Sequence, residues 1–174
     1  MQTLAAERRG RLLEAMRAKG LDAVVVVGSS WQEAYLRYVA DFAILEGTGI
    51  AILSADGRCR LWLESAADAE RAEVEAAGCE VLFARDLPRA AGAEIEAIAN
   101  QKVAVLPRHL APNWLAGPAS QDSGARTRLD DAGTLIDRLL SVKLPAEIAA
   151  IRRASALADD GYAYFREVDR KSVV

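Results

Sequence analysis

Leu4 to Lys19 carries Leu12, Leu13 and Met16 at helical spacing, and Gly20 follows where a left-handed residue stops a helix. The apolar, mostly β-branched run Ala23 to Val27 predicts a central strand buried on both faces. Trp31 to Val39 predicts a short helix. Gly49 to Leu53 and Arg58 to Leu63 flank Ala55-Asp56-Gly57, and the Asp-Gly pair signals a hairpin. Ser65 is placed to cap a helix whose Ala69, Ala72 and Ala76 share one face; Gly78 closes it, and Glu80 to Phe83 returns as a strand. A helix after Pro88, a strand over Lys102 to Leu106, a short helix begun by Pro112 and a weak strand near Arg126 to Leu129 follow. Asp130 or Asp131 then caps a helix over Leu135 to Leu140, and Gly117 to Gly124 has the composition of a surface loop. The order predicts an α/β domain, a mixed β-sheet flanked by helices with one antiparallel hairpin.

Pro145 to Val168 differs in kind. Pro145 suits the first helical position, and Glu147 meets the positive end of the helix dipole. Ile148, Ile151, Ser155, Ala158, Tyr162 and Phe165 then recur in steps of three and four, a narrow stripe like a coiled-coil seam. Either this last helix packs on its own domain, or it is a connector whose stripe meets another domain or a second chain. The second reading divides the chain into an α/β domain over 1–144 and a connector over 145–174. It makes Ile148, Ile151, Tyr162 and Phe165 interface candidates, with a homodimer as the simplest closed assembly.

At 174 residues, 52% hydrophobic and 27% charged, the chain suits one compact domain with a sizeable core. No apolar run approaches the ~20 residues of a membrane span. The charged opening does not resemble a signal peptide, which makes the cytoplasm the default compartment. A net charge of −3 gives no reason to expect nucleic acid as a partner. Cys59 and Cys79 have neither metal-type nor secreted-framework spacing, and predict reduced, buried thiols.

Catalytic chemistry finds little support. His109 is the one histidine, and no second histidine or well-spaced cysteine joins it as a metal ligand. Asp130-Asp131 and Asp159-Asp160 are better explained as a helix cap and a solvated helix face than as an acid/base pair. Ser29-Ser30 lacks a nucleophile elbow. Gly28-Ser29-Ser30 lacks the dinucleotide fingerprint, and Gly47-Thr48-Gly49 precedes a strand instead of a helix. No residue is expected to be catalytic or to bind metal. The remaining cluster is Trp31, Tyr35, Arg37, Tyr38, Asp41 and Phe42, where the aromatic spacing fits core packing.

Three passages carry a resemblance: Arg8 to Ala23 (RRGRLLEAMRAKGLDA), the turn Tyr38-Val39-Ala40-Asp41-Phe42, and the junction Arg138 to Ile148 with Lys143, Pro145 and Glu147. Together with the hairpin, they resemble the N-terminal domain of creatinase, prolidase and Xaa-Pro aminopeptidase-type metallohydrolases. The resemblance implies a ribonuclease H-like α/β fold that leads through the connector into a catalytic domain. There two divalent metal ions are held by two Asp, one His and two Glu, none of which falls in this region. It also marks Tyr38, Asp41 and Phe42 as candidates for a substrate-facing surface near the active site of a neighbouring subunit. Asp41 replaces the usual glycine of that turn, as in the creatinase branch. The implied function is a non-catalytic domain that shapes substrate access and dimerisation in an enzyme cleaving an amide or X-Pro peptide bond. Its partner would be the catalytic domain of the same or a neighbouring subunit, with neither nucleic acid nor membrane involved. The alternative is a self-standing binding or interaction domain with the same fold.

Overall fold

The computed structural model describes residues 4–171 apart from 77, 99 and 117–128. The loop expected at Gly117 to Gly124, and all but Leu129 of the strand expected near Arg126, lie outside the described residues. The chain forms two compact units, 1–140 and 141–174. The first contains α1 (Leu4–Lys19), β1 (Ala23–Ser29), α2 (Ala34–Ala40), β2 (Thr48–Ser54), β3 (Cys59–Leu63), α3 (Ala66–Glu75) and β4 (Glu80–Phe83). It continues through α4 (Leu87–Ala97), β5 (Val103–Leu106), α5 (Asn113–Ala116), β6 (Asp130–Asp131) and α6 (Gly133–Ser141).

Among the described residues six strands form one mixed sheet in the order β4-β3-β2-β1-β5-β6. β2 runs antiparallel to both of its neighbours, and the other pairs are parallel. The pleat sends alternate residues of β1 into separate cores. Val24 and Val26 join Leu12 and Met16 of α1, Leu36 and Val39 of α2, Ala69 and Ala72 of α3 and Ile136 of α6. Val25 and Val27 join Leu87, Ala91 and Ile95 of α4 and Leu115 of α5. A strand covered on both faces must be apolar at every position, which is why the valine run stands where it does.

Local chemistry sets the element ends. Gly20 adopts φ 63° after α1. Ser65 Oγ accepts the Asp68 N–H at 3.4 Å, and the Asp86 carboxylate accepts the Arg89 N–H at 3.1 Å, each capping its helix. In the hairpin Gly57 takes φ 92°, and Asp56 accepts the Arg58 N–H at 3.0 Å.

One expectation needs correction. The helix predicted from Trp31 starts at Ala34, because Ser29 and Gln32 exchange backbone hydrogen bonds of 3.3 and 3.0 Å and close a tight turn first. Among the described residues the last strand is Asp130–Asp131, pairing with Ala104 and Val105. Asp131 combines that pairing with the capping role, accepting the Gly133 N–H at 2.9 Å.

The second unit is dominated by α7 (Pro145–Lys171), 27 residues long. The Leu144 N–H donates to Glu147 Oε2 at 2.7 Å, satisfying one of the donors that every helix start leaves open. Ile148, Ile151, Tyr162 and Phe165 are all exposed.

Candidate functional site

The segment from β1 to β2 is seated on a gap in the sheet. Gly28 of β1 and Gly49 of β2 are cross-strand partners, so two adjacent positions lack side chains. A Cβ added at Gly28 would lie 2.6 Å from Leu36 Cβ, and one at Gly49 would lie 2.7 Å from Ile44 Cδ1. α2 therefore rests through Leu36 directly on the strand backbone, and the loop after it does the same through Ile44.

That loop, 41–47, is held from the side by α3. Asp68 is only 2% exposed, and one of its carboxylate oxygens accepts the Leu45 and Glu46 N–H groups at 3.0 and 2.9 Å. The other oxygen accepts from the Arg71 guanidinium at 2.7 Å. Arg71 also reaches Glu75 at 2.9 Å and lies over the Phe42 ring, 5.0 Å from its centroid. A buried carboxylate that accepts from two loop N–H groups and a guanidinium in this way fixes the loop backbone. Thr48 N–H adds a 3.0 Å bond to Glu64.

Of the three candidates for a substrate-facing surface, Asp41 alone is exposed. It ends α2 in the left-handed region at φ 53°, and Arg8 of α1 pairs with its carboxylate at 2.9 Å. This explains how an aspartate fills a position where the resembling turn has glycine: aspartate tolerates that conformation better than most side chains. Tyr38 of α2 and Phe42 of the loop after it are buried in the same core as Leu36 and Val39. They support the loop, with Arg8 over the Tyr38 ring at 5.8 Å. Trp31 moves the other way. Core packing is expected from its spacing to Tyr35 and Tyr38, yet it is 93% exposed at the tip of the Ser29–Gln32 turn. Tyr35 of α2 donates from its hydroxyl to Asp137 of α6 at 2.9 Å. That hydrogen bond to a carboxylate, with burial and the carboxylate charge, holds the phenol above its usual pKa.

The site residues that sequence reasoning passed over are Asp68 and Arg71. The Ser65-x-x-Asp68 spacing shows only a helix start, and nothing in it reveals that the carboxylate turns away to a loop 22 residues earlier. Cys59 and Cys79, expected as reduced, buried thiols, are free; Cys59 is buried, Cys79 is half-buried, and their sulfurs lie 2.9 Å apart. His109 is exposed, in a short 3₁₀ turn over Arg108–Leu110. Asp159 and Asp160 are exposed along α7.

The arrangement is thus a braced loop carrying an exposed Asp41, beside a sheet gap and a projecting tryptophan. The Creatinase/Prolidase N-terminal domain family matches residues 8–140 of this chain. The chain belongs to that family. Solved structures share the fold of this creatinase/prolidase N-terminal domain. An Xaa-Pro dipeptidase from Bacillus anthracis superposes with a TM-score of 0.69 at 19% identity, over 92% of this chain and 42% of that one. An Xaa-Pro aminopeptidase structure from Streptococcus pyogenes gives 0.61 at 17% identity, over 80% of this chain and 99% of that one. The N-terminal domain of the cytoplasmic peptidase PepQ from Mycobacterium tuberculosis H37Rv gives 0.57 at 21% identity, over 76% and 98%. This chain therefore spans about two fifths of the length of the Bacillus dipeptidase. No curated protein sequence matches.

Among the described residues, no three His, Cys, Asp or Glu side chains are grouped so as to hold a metal ion. No helix among the described residues is long and apolar enough to cross a membrane.

Proposed function

We propose that this chain is the non-catalytic N-terminal domain of a metal-dependent hydrolase acting on an X-Pro peptide or a related amide bond. In this reading it shapes access to the active site of a neighbouring subunit and stabilises a dimer. The observation that carries the reading is the pairing of family membership over 8–140 with a fold that makes up 42% of an Xaa-Pro dipeptidase. Metal chemistry in such an enzyme needs ligands converging on the ions, and the groups assembled here hold a loop instead. Asp68, Arg71 and the Gly28–Gly49 gap present a fixed Asp41, the kind of preformed wall a substrate channel needs. The stripe on α7 supplies the assembly surface. Each large apolar side chain buried there contributes ~1.5–3 kcal/mol.

The test is activity and assembly measured on the same preparation. Purified chain with added Mn²⁺, Co²⁺ or Zn²⁺ is expected to turn over neither X-Pro dipeptides nor creatine, and to sediment as a dimer. Ile151→Glu with Tyr162→Glu should shift it to monomer while the α/β unit keeps its melting temperature. Metal-dependent hydrolysis abolished by His109→Ala would refute the non-catalytic role. A wild-type monomer at high concentration would refute the dimer.

A further inference from the structure

Cys59 opens β3 and Cys79 immediately precedes β4, one step before the paired positions Arg60 and Glu80 on two parallel neighbouring strands. Register, not sequence spacing, brings the thiols together. Their 2.9 Å separation is about an ångström longer than the ~2.05 Å of a disulfide bond. The two sulfurs are unequal. Cys59 is buried under the sheet, whereas Cys79 is half-buried at the sheet's edge strand. Arg9 of α1 reaches Cys79 Sγ at 3.7 Å while donating to the Val39 carbonyl at 3.1 Å. Gly78 makes room for it, since a Cβ there would lie 2.7 Å from Arg9 Nη2. A guanidinium anchored by backbone thus faces the more accessible sulfur.

The geometry points to Cys59 and Cys79 as a reversible oxidation site, in which Cys79 reacts with hydrogen peroxide and Cys59 resolves it to an intramolecular disulfide. The chemistry closes without another reactant. The Cys79 thiolate attacks one peroxide oxygen, the O–O bond breaks, and the departing hydroxide takes a proton to become water. The Cys59 sulfur then attacks the Cys79 sulfenic acid, the S–O bond breaks, and the Cys59 proton leaves with the hydroxyl as a second water. Two thiols and one peroxide become one disulfide and two waters. The division of roles follows from the surroundings. The hydrogen bond from Cys59 and the Arg9 charge favour the Cys79 thiolate against the opposing effect of burial, while contact with Cys79 and burial keep Cys59 protonated. The bond would tie together the two ends of the α3 crossover, the segment that carries Asp68 and Arg71. Oxidation would therefore lock the support of the 41–47 loop.

The experiment treats the full chain with hydrogen peroxide and maps peptides without reductant, with dimedone present in a parallel sample. The expected product is a single Cys59–Cys79 cross-link within one chain, two hydrogens lighter, reversed by dithiothreitol and melting at a higher temperature. Cys59→Ser should accumulate a dimedone adduct at Cys79. Cys79→Ser should slow oxidation of Cys59 roughly tenfold or more, and Arg9→Gln should slow the first step several-fold. Equal peroxide reactivity of the two thiols, cross-links only between chains, or over-oxidation of Cys79 with no internal disulfide would each overturn the assignment.

Discussion

Gly28 and Gly161 show how differently the two units are built. Both glycines interrupt regular elements. At Gly28 the backbone of β1 lies so close to α2 that a Cβ would be 2.6 Å from Leu36, while at Gly161 nothing lies within 4 Å. The same contrast separates α1 from α7. α1 is 16 residues long and buries Leu12 and Met16 against the sheet. α7 is 27 residues long and leaves Ile148, Ile151, Tyr162 and Phe165 exposed. The α/β unit is held by packing, so each residue answers to its neighbours. Within α7 itself, the stabilising elements are the helix's own backbone bonds, its Pro145 and Glu147 start, and intrinsic propensity.

The sharpest way to break the packed side is at Asp68. Asp68→Ala strands the Leu45 and Glu46 N–H groups and removes the buried one of the two carboxylates that Arg71 pairs with, at a cost of about 3 kcal/mol in urea unfolding. Asp68→Asn should retain little of this, because an amide has one oxygen where two are used, one for the loop and one for Arg71. A loss below about 1 kcal/mol in both variants would mean that the loop is held by its apolar contacts alone.

The two glycines allow the same substitution to be tried on both sides. Gly28→Ala should destabilise the α/β unit by ~2 kcal/mol, since Leu36 Cβ belongs to a packed helix and cannot swing aside. Gly161→Ala should raise the helical signal of α7 and add up to ~1 kcal/mol of helix stability, without moving the main unfolding transition. Opposite signs would establish the contrast. If Gly161→Ala instead weakened self-association, a partner would be approaching α7 at that glycine.

How much of this was legible beforehand follows the range of each interaction. Helix and strand identity depends on patterns within a dozen residues, so α1, the valine strand, the Asp56-Gly57 hairpin, the Ser65 cap and the α7 start were all visible. Trp31 misled because helical spacing to Tyr35 and Tyr38 says nothing of the Ser29–Gln32 turn, which ends the strand before the helix begins. Asp68 with Leu45, Arg9 with Cys79, and Cys59 with Cys79 are contacts between distant segments. They arise only once β3 pairs with β4 and α1 and α3 cover the same face, and no local spacing carries them.

The smallest expected effect tests whether a side-chain bond at the rim of the packed unit behaves as part of it. Tyr35 keeps its ring against the core and sends its hydroxyl to Asp137 at 2.9 Å. Tyr35→Phe preserves the packing and removes one partly exposed bond, so stability at neutral pH should fall by only about 0.5 kcal/mol. The pH dependence is more telling. The hydrogen bond to Asp137 makes the folded phenol hold its proton more tightly than the unfolded one. Its contribution is therefore complete below the unfolded pKa of ~10 and is lost as pH rises through the higher folded value. Wild type and Tyr35→Phe should keep a constant difference from neutral pH to about pH 9 and converge above pH 10. Parallel curves throughout would show that the hydroxyl contributes nothing through its proton and that α2 and α6 are joined by apolar contact alone.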